Sequence, residues 1–425
     1  MKSPRREFLK NAAAAATCLG LPMGASSAPT AKTQKVAAAG SRAGSKVFTT
    51  SGFFSDANDL PADLFGDLCV MRKGGPQLLA GAGPTRVEPI ADREEWAAKA
   101  AALREIFDQT LGIAPPNDTP LNIRIEGEKD YRGVIERRVS YLLSPGERVT
   151  SLMLIQKGSA GRLPGVLTIH QTVAVGKEEP VGRGETVEGK LTPKAARLSY
   201  ALELAQRGFI TFSPDLISAG ERIFPGRRSF DNQPFIDAHP RWSGTGKDLH
   251  DLKRALDVMQ TMPEIDPARM ASLGHSQGGG LTCYLAAVDL RVRAGVCNCG
   301  VWPSRLRDNP FHMARNAWWT GRPALRPYML AGKPMPIDFH ELLALAAPRP
   351  FLNIVALDDC GFKVEDELLT RPAWENLAQN VRKIYAVHGT EEKFETRLHL
   401  GGHDFPDDVR EHAYKFVEAA LRGLA

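Results

Sequence analysis

Residues 270 to 281 read Met-Ala-Ser-Leu-Gly-His-Ser-Gln-Gly-Gly-Gly-Leu, and this stretch decides the fold. Met270–Leu273 is a short apolar run typical of a buried strand, and the residues from Gly279 onward continue as an apolar helix. Between them Gly274–Gly278 has the pattern Gly-x-Ser-x-Gly, which in a strand, sharp turn and helix is a nucleophile elbow. Glycines suit this turn because only residues without a Cβ allow a serine to be lifted out at a helix N-terminus. We therefore predict that Ser276 is a catalytic nucleophile.

A serine hydroxyl is a poor nucleophile unless a histidine removes its proton and a carboxylate fixes the tautomer of that histidine. Of the ten histidines, His403 lies in a loop directly after a late strand. His399, its nearest rival, lies within that strand, where alternation makes it a solvent-facing or packed side chain. We predict that His403 is the general base, and the alternative is a loop histidine hydrogen-bonded to Asp404.

Two carboxylates compete for the acid. Residues 351–357 form an apolar strand that runs directly into Asp358 and Asp359. Alternation along an extended strand points neighbouring side chains to opposite sides, so only one carboxylate should face His403. We favour Asp359, which leaves Asp358 as a surface or capping carboxylate.

Short buried strands alternate with helices through the rest of the chain, and there is no internal repeat. This alternation predicts an α/β fold with a doubly wound, mostly parallel sheet, in which functional residues lie at the carboxyl ends of the strands. Antiparallel strands are predicted before it, at 121–125, 133–143 and 149–155. The later strands are predicted at 165–170, 209–213, 270–274, 294–298, 351–357 and 394–400, and the helices at 194–207, 247–262, 278–288, 365–388 and 409–424.

The serine, aspartate and histidine named above, in this chain order, resemble the triad of an α/β-hydrolase of the dienelactone hydrolase and acetyl xylan esterase-like branch. The segments Leu204–Phe209 and Gly401–Pro406 are similar to stretches of exported bacterial members, and the likeness covers about residues 120–425. In that branch the acid closes a small-x-x-Asp turn, which matches Ala356–Asp359. Some members use a cysteine nucleophile, but the serine here makes ester chemistry the nearer analogy. The resemblance implies a serine esterase that needs no metal or organic cofactor.

The oxyanion hole shows one departure from the family pattern. These hydrolases have His-Gly after the strand that builds the hole, whereas this chain has His170-Gln171-Thr172. A backbone N–H needs no particular side chain in order to donate, so the hole can form if the turn permits it. By resemblance the donors are the backbone N–H groups of Gln277 and Thr172, with that of Gln171 as the alternative.

The first residues of the chain are typical of an export signal. Ser3–Lys10 reads Ser-Pro-Arg-Arg-Glu-Phe-Leu-Lys and resembles a bacterial twin-arginine signal, with Pro4 as the departure. An apolar stretch too short to span a bilayer follows, over 12–21. We expect cleavage near residues 25–31, export by the twin-arginine machinery, and a periplasmic or secreted enzyme without a membrane span. The alternative is a basic, fraying N-terminus.

Cleavage also changes the charge of the chain. It removes four basic residues and one acidic residue, which lowers the net charge from +5 by 3 to +2. A nucleic-acid partner is therefore not expected. The chain divides into an export signal over 1–31, a flexible leader over 32–47, a helical extension over 48–120 and the hydrolase domain over 121–425. In the extension, Asp92 and Glu95 form a capping box for a helix whose apolar stripe runs from Trp96 to Leu111.

Two long insertions follow strand ends, at 216–246 and 301–339, and both are rich in aromatic residues. One interpretation is a substrate cleft in which aromatic side chains stack on sugar or aryl groups and arginines meet a carboxylate. The other is that the aromatic residues pack the insertions and the arginines face water. The residues concerned are Arg222, Phe224, Arg227, Arg228, Phe230, Phe235, Trp242, Trp302, Trp318 and Trp319.

Six cysteines in 425 residues do not make a disulfide scaffold. Cys297 and Cys299 lie in an apolar stretch and are expected to be buried thiols, although a disulfide formed after export is an alternative. The composition is that of a soluble globular protein, with 43% hydrophobic and 24% charged residues. The sequence thus predicts a serine esterase acting on a small-molecule or carbohydrate ester. A prolyl-type peptidase and a non-catalytic binding protein are the alternatives.

Overall fold

The computed structural model describes residues 70–72, 75–77, 90–301, 320–325, 328, 335–359 and 367–422. The predicted export signal, the leader and the tryptophans at 302, 318 and 319 lie outside the described residues. No helix in the described ranges has the length and apolar character needed to cross a bilayer.

Strands and helices alternate after an antiparallel start, as the sequence predicts. The strands are β1 (Val70–Arg72), β2 (Gly75–Gln77), β3 (Arg124–Tyr131), β4 (Val134–Ser144), β5 (Glu147–Gln156), β6 (Leu163–Ile169), β7 (Thr186–Val187), β8 (Lys190–Leu191), β9 (Ile210–Pro214), β10 (Ile265–His275), β11 (Ala294–Asn298), β12 (Phe351–Ala356) and β13 (Phe394–His399). The helices are α1 (Arg93–Leu111), α2 (Pro193–Arg197), α3 (Tyr200–Gln206), α4 (Gln233–Ala238), α5 (Gly244–Thr261), α6 (Gln277–Val288), α7 (Phe339–Ala344), α8 (Glu367–Val387) and α9 (Asp407–Arg422).

Nine of these strands form one sheet in the order β13-β12-β11-β10-β6-β9-β5-β4-β3. The six strands from β13 to β9 are parallel, and β5, β4 and β3 continue the sheet antiparallel. The register pairs Gly274 with Ile169 and His275 with Asn298. The carboxyl ends of β6, β10 and β11 therefore meet at one edge of the sheet, where a site is expected.

Helices cover both faces of the sheet. On β6 the neighbours Leu167 and Val166 belong to two different core clusters, and on β12 Val355 and Ile354 do the same. The first cluster packs against α1, α5, α6, α7 and α8, and the second packs against α3 and α9. The parallel strands are apolar on both sides because each side is covered, which confirms the predicted doubly wound architecture.

Helix α1 follows the predicted pattern but caps itself differently. The carboxylate of Asp92 accepts the N–H groups of Glu94 and Glu95, both at 2.9 Å. The Glu95 carboxylate does not return to Asp92 and instead accepts the N–H of Ala91 at 2.7 Å. The reciprocal bond of the capping box is thus displaced by one residue.

The predicted helix over 194–207 is wrong as a single element. The structure has two helices, α2 and α3, separated by Leu198 and Ser199. The Ser199 hydroxyl donates to the carbonyl of Ala195 at 3.1 Å, and Ser199 leaves the helical region of the backbone with ψ of 36°. A serine side chain that bonds a carbonyl of the preceding turn satisfies the end of α2, so the chain can turn before α3 begins.

Candidate active site

The turn from β10 into α6 places Ser276 at the carboxyl edge of the sheet. Ser276 has φ of 55° and ψ of −119°, a strained conformation for a residue with a side chain. Its N–H donates to the carbonyl of Asn298 at 2.8 Å, which holds the turn against β11. A Cβ on Gly278 would lie 2.0 Å from the carbonyl oxygen of Ile169, so only glycine fits there. The local structure is the strand, sharp turn and helix that the sequence predicts.

The structure brings Ser276, His403 and Asp359 together. The Ser276 hydroxyl and Nε2 of His403 are 2.8 Å apart, and Nδ1 of His403 is 2.7 Å from a carboxylate oxygen of Asp359. Asp359 is 1% exposed. A carboxylate can only accept, so Nδ1 carries the proton and Nε2 is left free to accept the serine proton. The arrangement can generate an alkoxide nucleophile from Ser276.

Asp358, the competing carboxylate, faces a different partner. It accepts the N–H groups of Gly401 and Gly402 at 3.0 and 2.9 Å. These bonds help hold the pKa of Asp358 below its usual value, against the opposing effect of its partial burial. Asp358 therefore fastens the loop that carries His403, which is more than the surface or capping carboxylate expected from the sequence.

His399, the rival base, does not reach Ser276. It is the last residue of β13, and neither of its buried ring nitrogens has a hydrogen-bond partner in the described structure. Burial lowers the pKa of His399. Of the two expectations for this strand residue, solvent-facing or packed, the buried ring nitrogens agree with the packed one.

The predicted oxyanion-hole donors lie on two neighbouring segments at the carboxyl edge of the sheet. Gln277 is the first residue of α6, and Thr172 lies just beyond β6. In the part of the chain that the structure describes, neither backbone N–H donates to a protein acceptor, and the same holds for Gln171. The Thr172 hydroxyl donates to the side-chain oxygen of Gln277 at 3.2 Å. Free N–H groups at a helix N-terminus favour a developing negative charge.

Sequence reasoning missed a second layer behind the triad. The ring of His275 lies 4.7 Å from the ring of His403, and its Nδ1 accepts the side-chain N–H of Asn298 at 2.8 Å. The same Asn298 amide donates to the carbonyl of Asp404 at 3.1 Å. Burial lowers the pKa of His275 well below its usual value, so its ring is neutral. The position of His275 inside the Gly-x-Ser-x-Gly pattern was the available signal, but its partner Asn298 is distant in sequence.

Three cysteines in the described ranges, Cys283, Cys297 and Cys299, are free and buried. Burial raises the pKa of each thiol, so none of them is an activated nucleophile. Cys299 also lies beside the triad, with its sulfur within 4.8 Å of ligand atoms of Asp359 and His403. Both of those groups are already engaged with each other, so we interpret Cys299 as a packing residue there.

The insertion at 216–246 contains a packed aromatic core. Phe235 and Trp242 form a small core with Ile217, and their rings lie 5.3 Å apart. The side chain of Arg222 is largely covered and pairs with Asp251 at 2.7 Å and Glu147 at 2.9 Å, so it is held by carboxylates of the protein instead of facing water. The packing interpretation therefore holds for Phe235 and Trp242, whereas Arg222 does not face water as that interpretation expects. A cavity of about 630 Å³ remains beside them, lined in part by Glu147, Phe224 and His250.

Comparisons with known proteins agree with this fold. An acetyl xylan esterase family model matches residues 248–302, which include the nucleophile turn. The protein YtaP of Bacillus subtilis (strain 168) is 23% identical over 306 residues, covering 72% of this chain and 95% of YtaP. Carbohydrate esterase MZ0003 from an unknown prokaryotic organism is 31% identical over 147 residues, covering 33% of this chain and 32% of that protein.

Among solved structures, a glucuronoyl esterase from Solibacter usitatus matches with a TM-score of 0.59 and 17% identity, covering 86% of this chain and 100% of the esterase. At that identity the likeness concerns the fold. It confirms the predicted α/β-hydrolase fold.

Proposed function

We propose that this chain, a carboxylic ester hydrolase with the α/β-hydrolase fold and an acetyl xylan esterase family segment, is a serine esterase that works through an acyl-enzyme. The observation that carries the proposal is the continuous pair of hydrogen bonds from Ser276 through His403 to Asp359, at 2.8 and 2.7 Å. In this proposal Ser276 attacks the ester carbonyl while Nε2 of His403 takes its proton.

The second half of the reaction uses the same groups in reverse order. His403 gives its proton to the leaving alcohol, which completes the acyl-enzyme. It then takes a proton from the attacking water and returns it to the Ser276 oxygen as the acid leaves. Asp359 stabilises the imidazolium formed in each step. The N–H groups of Gln277 and Thr172 would stabilise the negative oxygen of both tetrahedral intermediates.

The substrate class that we propose is a carbohydrate ester. Its acyl part is either an acetyl group carried by a sugar or the carboxyl group of a uronic acid. The support is the acetyl xylan esterase segment at 248–302 and the carbohydrate esterases among the similar proteins. We also propose that the enzyme is exported through the twin-arginine route and acts in the periplasm or outside the cell, on the basis of Ser3–Lys10.

The test is Ser276→Ala against Ser159→Ala, an exposed serine whose hydroxyl bonds only the nearby carbonyl of Gln156. Activity is measured on p-nitrophenyl acetate, acetylated xylo-oligosaccharides, the methyl ester of glucuronic acid and a proline p-nitroanilide. We expect Ser276→Ala to lower kcat on esters by a factor near 10⁶, whereas Ser159→Ala keeps wild-type rates. Retention of more than a few per cent of activity in folded Ser276→Ala would contradict the triad, and turnover of the anilide alone would favour a peptidase.

A further inference from the structure

The peptide unit between Gln171 and Thr172 is held from its carbonyl side. The Gln171 carbonyl accepts hydrogen bonds from Nδ1 of His170 at 2.6 Å and from the N–H of Val173 at 2.8 Å. In a trans peptide the carbonyl and the N–H point in opposite directions. Bonds that fix the Gln171 carbonyl therefore also fix the direction of the Thr172 N–H, which is a predicted oxyanion-hole donor.

His170 can hold that carbonyl in only one protonation form. Its Nε2 lies 3.0 Å from the backbone N–H of Leu216, and because that group can only donate, Nε2 must be an unprotonated acceptor. A neutral imidazole then carries its proton on Nδ1, which donates to Gln171. The ring is fully buried, and burial lowers the pKa of His170, which keeps the ring neutral. The loop after β9 thus selects the tautomer that the oxyanion loop needs.

Two side chains tether the same loop. The side-chain N–H of Gln171 donates to the buried carboxyl of Glu179 at 2.8 Å, and the Thr172 hydroxyl donates to Gln277 at 3.2 Å. Gln171 stands where the family pattern has glycine, and a glycine could not make the first of these bonds. The second bond joins the residues of both predicted donors.

We propose that His170 is a positioning residue that aims the Thr172 N–H at the carbonyl oxygen of the substrate. The inference rests on the proposed function, since it concerns the oxyanion formed when Ser276 attacks. A hydrogen bond accepted by the Gln171 carbonyl also polarises the shared peptide and strengthens its N–H as a donor. His170 itself exchanges no proton with the substrate.

Substitution of His170 by asparagine or by glutamine separates the roles of its two ring nitrogens. The amide of asparagine reaches the position of Nδ1, whereas the amide of glutamine reaches the position of Nε2. His170→Asn can keep a donor to Gln171, whereas His170→Gln keeps a partner for Leu216 and loses that donor. We expect His170→Gln to lower kcat by about 10- to 100-fold, approaching the loss of one oxyanion donor. We expect KM to stay within about threefold, because the contact strengthens in the transition state.

His170→Asn is expected to keep kcat within about fivefold of the wild type. A trifluoromethyl ketone forms a tetrahedral adduct with the serine and so mimics the transition state. Its inhibition constant distinguishes a positioning role of His170 from a purely structural one. Its inhibition constant should rise in His170→Gln by the same factor as kcat/KM falls. Thermal melting of both variants controls for folding.

Equal losses of kcat in the two variants, or wild-type kcat in His170→Gln, would overturn the inference while leaving Ser276 as the nucleophile. If wild-type enzyme and Ser276→Ala hydrolyse esters equally, the proposed function itself fails. Should neither His170 variant fold, ¹⁵N-histidine NMR of the wild-type enzyme decides. A ring that stays neutral with its proton on Nδ1 from pH 5 to 8 supports the inference, and a His170 proton on Nε2 overturns it.

Discussion

Replacing Asp359 by asparagine should remove nearly all activity without removing the fold. The Asp359 carboxylate accepts the Nδ1 proton of His403 at 2.7 Å. An amide nitrogen in that place would donate to Nδ1, and the imidazole proton would move to Nε2. Nε2 would then present an N–H to Ser276 instead of a lone pair, so the serine proton could not leave.

The same exchange in the serine protease triad costs about 10⁴ in kcat, which corresponds to about 5.4 kcal/mol of transition-state stabilisation. Asp358→Asn is the matched control, because it makes the same chemical change one residue away. One carboxylate oxygen of Asp358 accepts both N–H groups, of Gly401 and of Gly402, and an amide oxygen in its place can still accept both. Only the second contact of Gly401, at 3.1 Å to the other oxygen, is lost. Asp358 is partly exposed, so water screens the effect of removing its charge. We expect Asp358→Asn to lose on the order of 1 kcal/mol of transition-state stabilisation, which corresponds to a fall in kcat of about fivefold.

Initial rates on p-nitrophenyl acetate are measured for both variants and the wild type at equal concentrations of folded protein. Melting curves check that both variants are folded. The reasoning is refuted if the two losses are equal or if Asp358→Asn is the more damaging change. Either result would mean that Asp358 is the carboxylate that orients His403.

Two further outcomes are expected. Burial raises the pKa of Glu179 to about 7, so the folded state binds this proton more tightly than the unfolded chain, and stability is lost as the pH rises from the ordinary carboxyl pKa through 7, by up to about 3 kcal/mol. Glu179→Gln should therefore have the same urea midpoint as the wild type at pH 4 and a higher midpoint than the wild type at pH 8.5. If the gap between the midpoints of the variant and the wild type is the same at both pH values, Glu179 does not titrate in this range. Replacing Arg5-Arg6 by Lys-Lys should leave full-length, folded and active enzyme in the cytoplasm, and cell fractionation that finds processed enzyme in the periplasm would point to a general secretory signal instead.

The parts of the site that could be predicted from the sequence are the ones specified by neighbouring residues. The glycines around Ser276 indicate a turn, and the apolar run before His403 indicates the end of a strand. Both positions can therefore be predicted from short-range sequence patterns. The choice of Asp359 rested partly on alternation along a continuing strand. The structure ends β12 at Ala356, so both aspartates lie in the turn beyond it, and their different partners come from the turn geometry.

The contacts that could not be predicted join residues far apart in the chain. The tautomer of His170 depends on the N–H of Leu216, and the position of His275 depends on Asn298. No local pattern reports such a pairing, because it arises only when separate strand ends meet at one edge of the sheet. The break before α3 was missed for a related reason, since serine is compatible with a helix interior until its hydroxyl bonds a carbonyl.

Helix α1 bears on how this enzyme can be shortened or joined to other proteins. Trp96, Leu103, Phe107 and Leu111 lie in the same core cluster as the side chains of β6 and α6. Burial of each such side chain contributes about 1.5 to 3 kcal/mol to the free energy of unfolding. A truncated chain that starts at residue 121 would lose these contributions and would expose the apolar side chains of the sheet that α1 covers. A fusion partner or affinity tag is therefore best attached before residue 90, so that the protein retains α1 and the sheet stays covered.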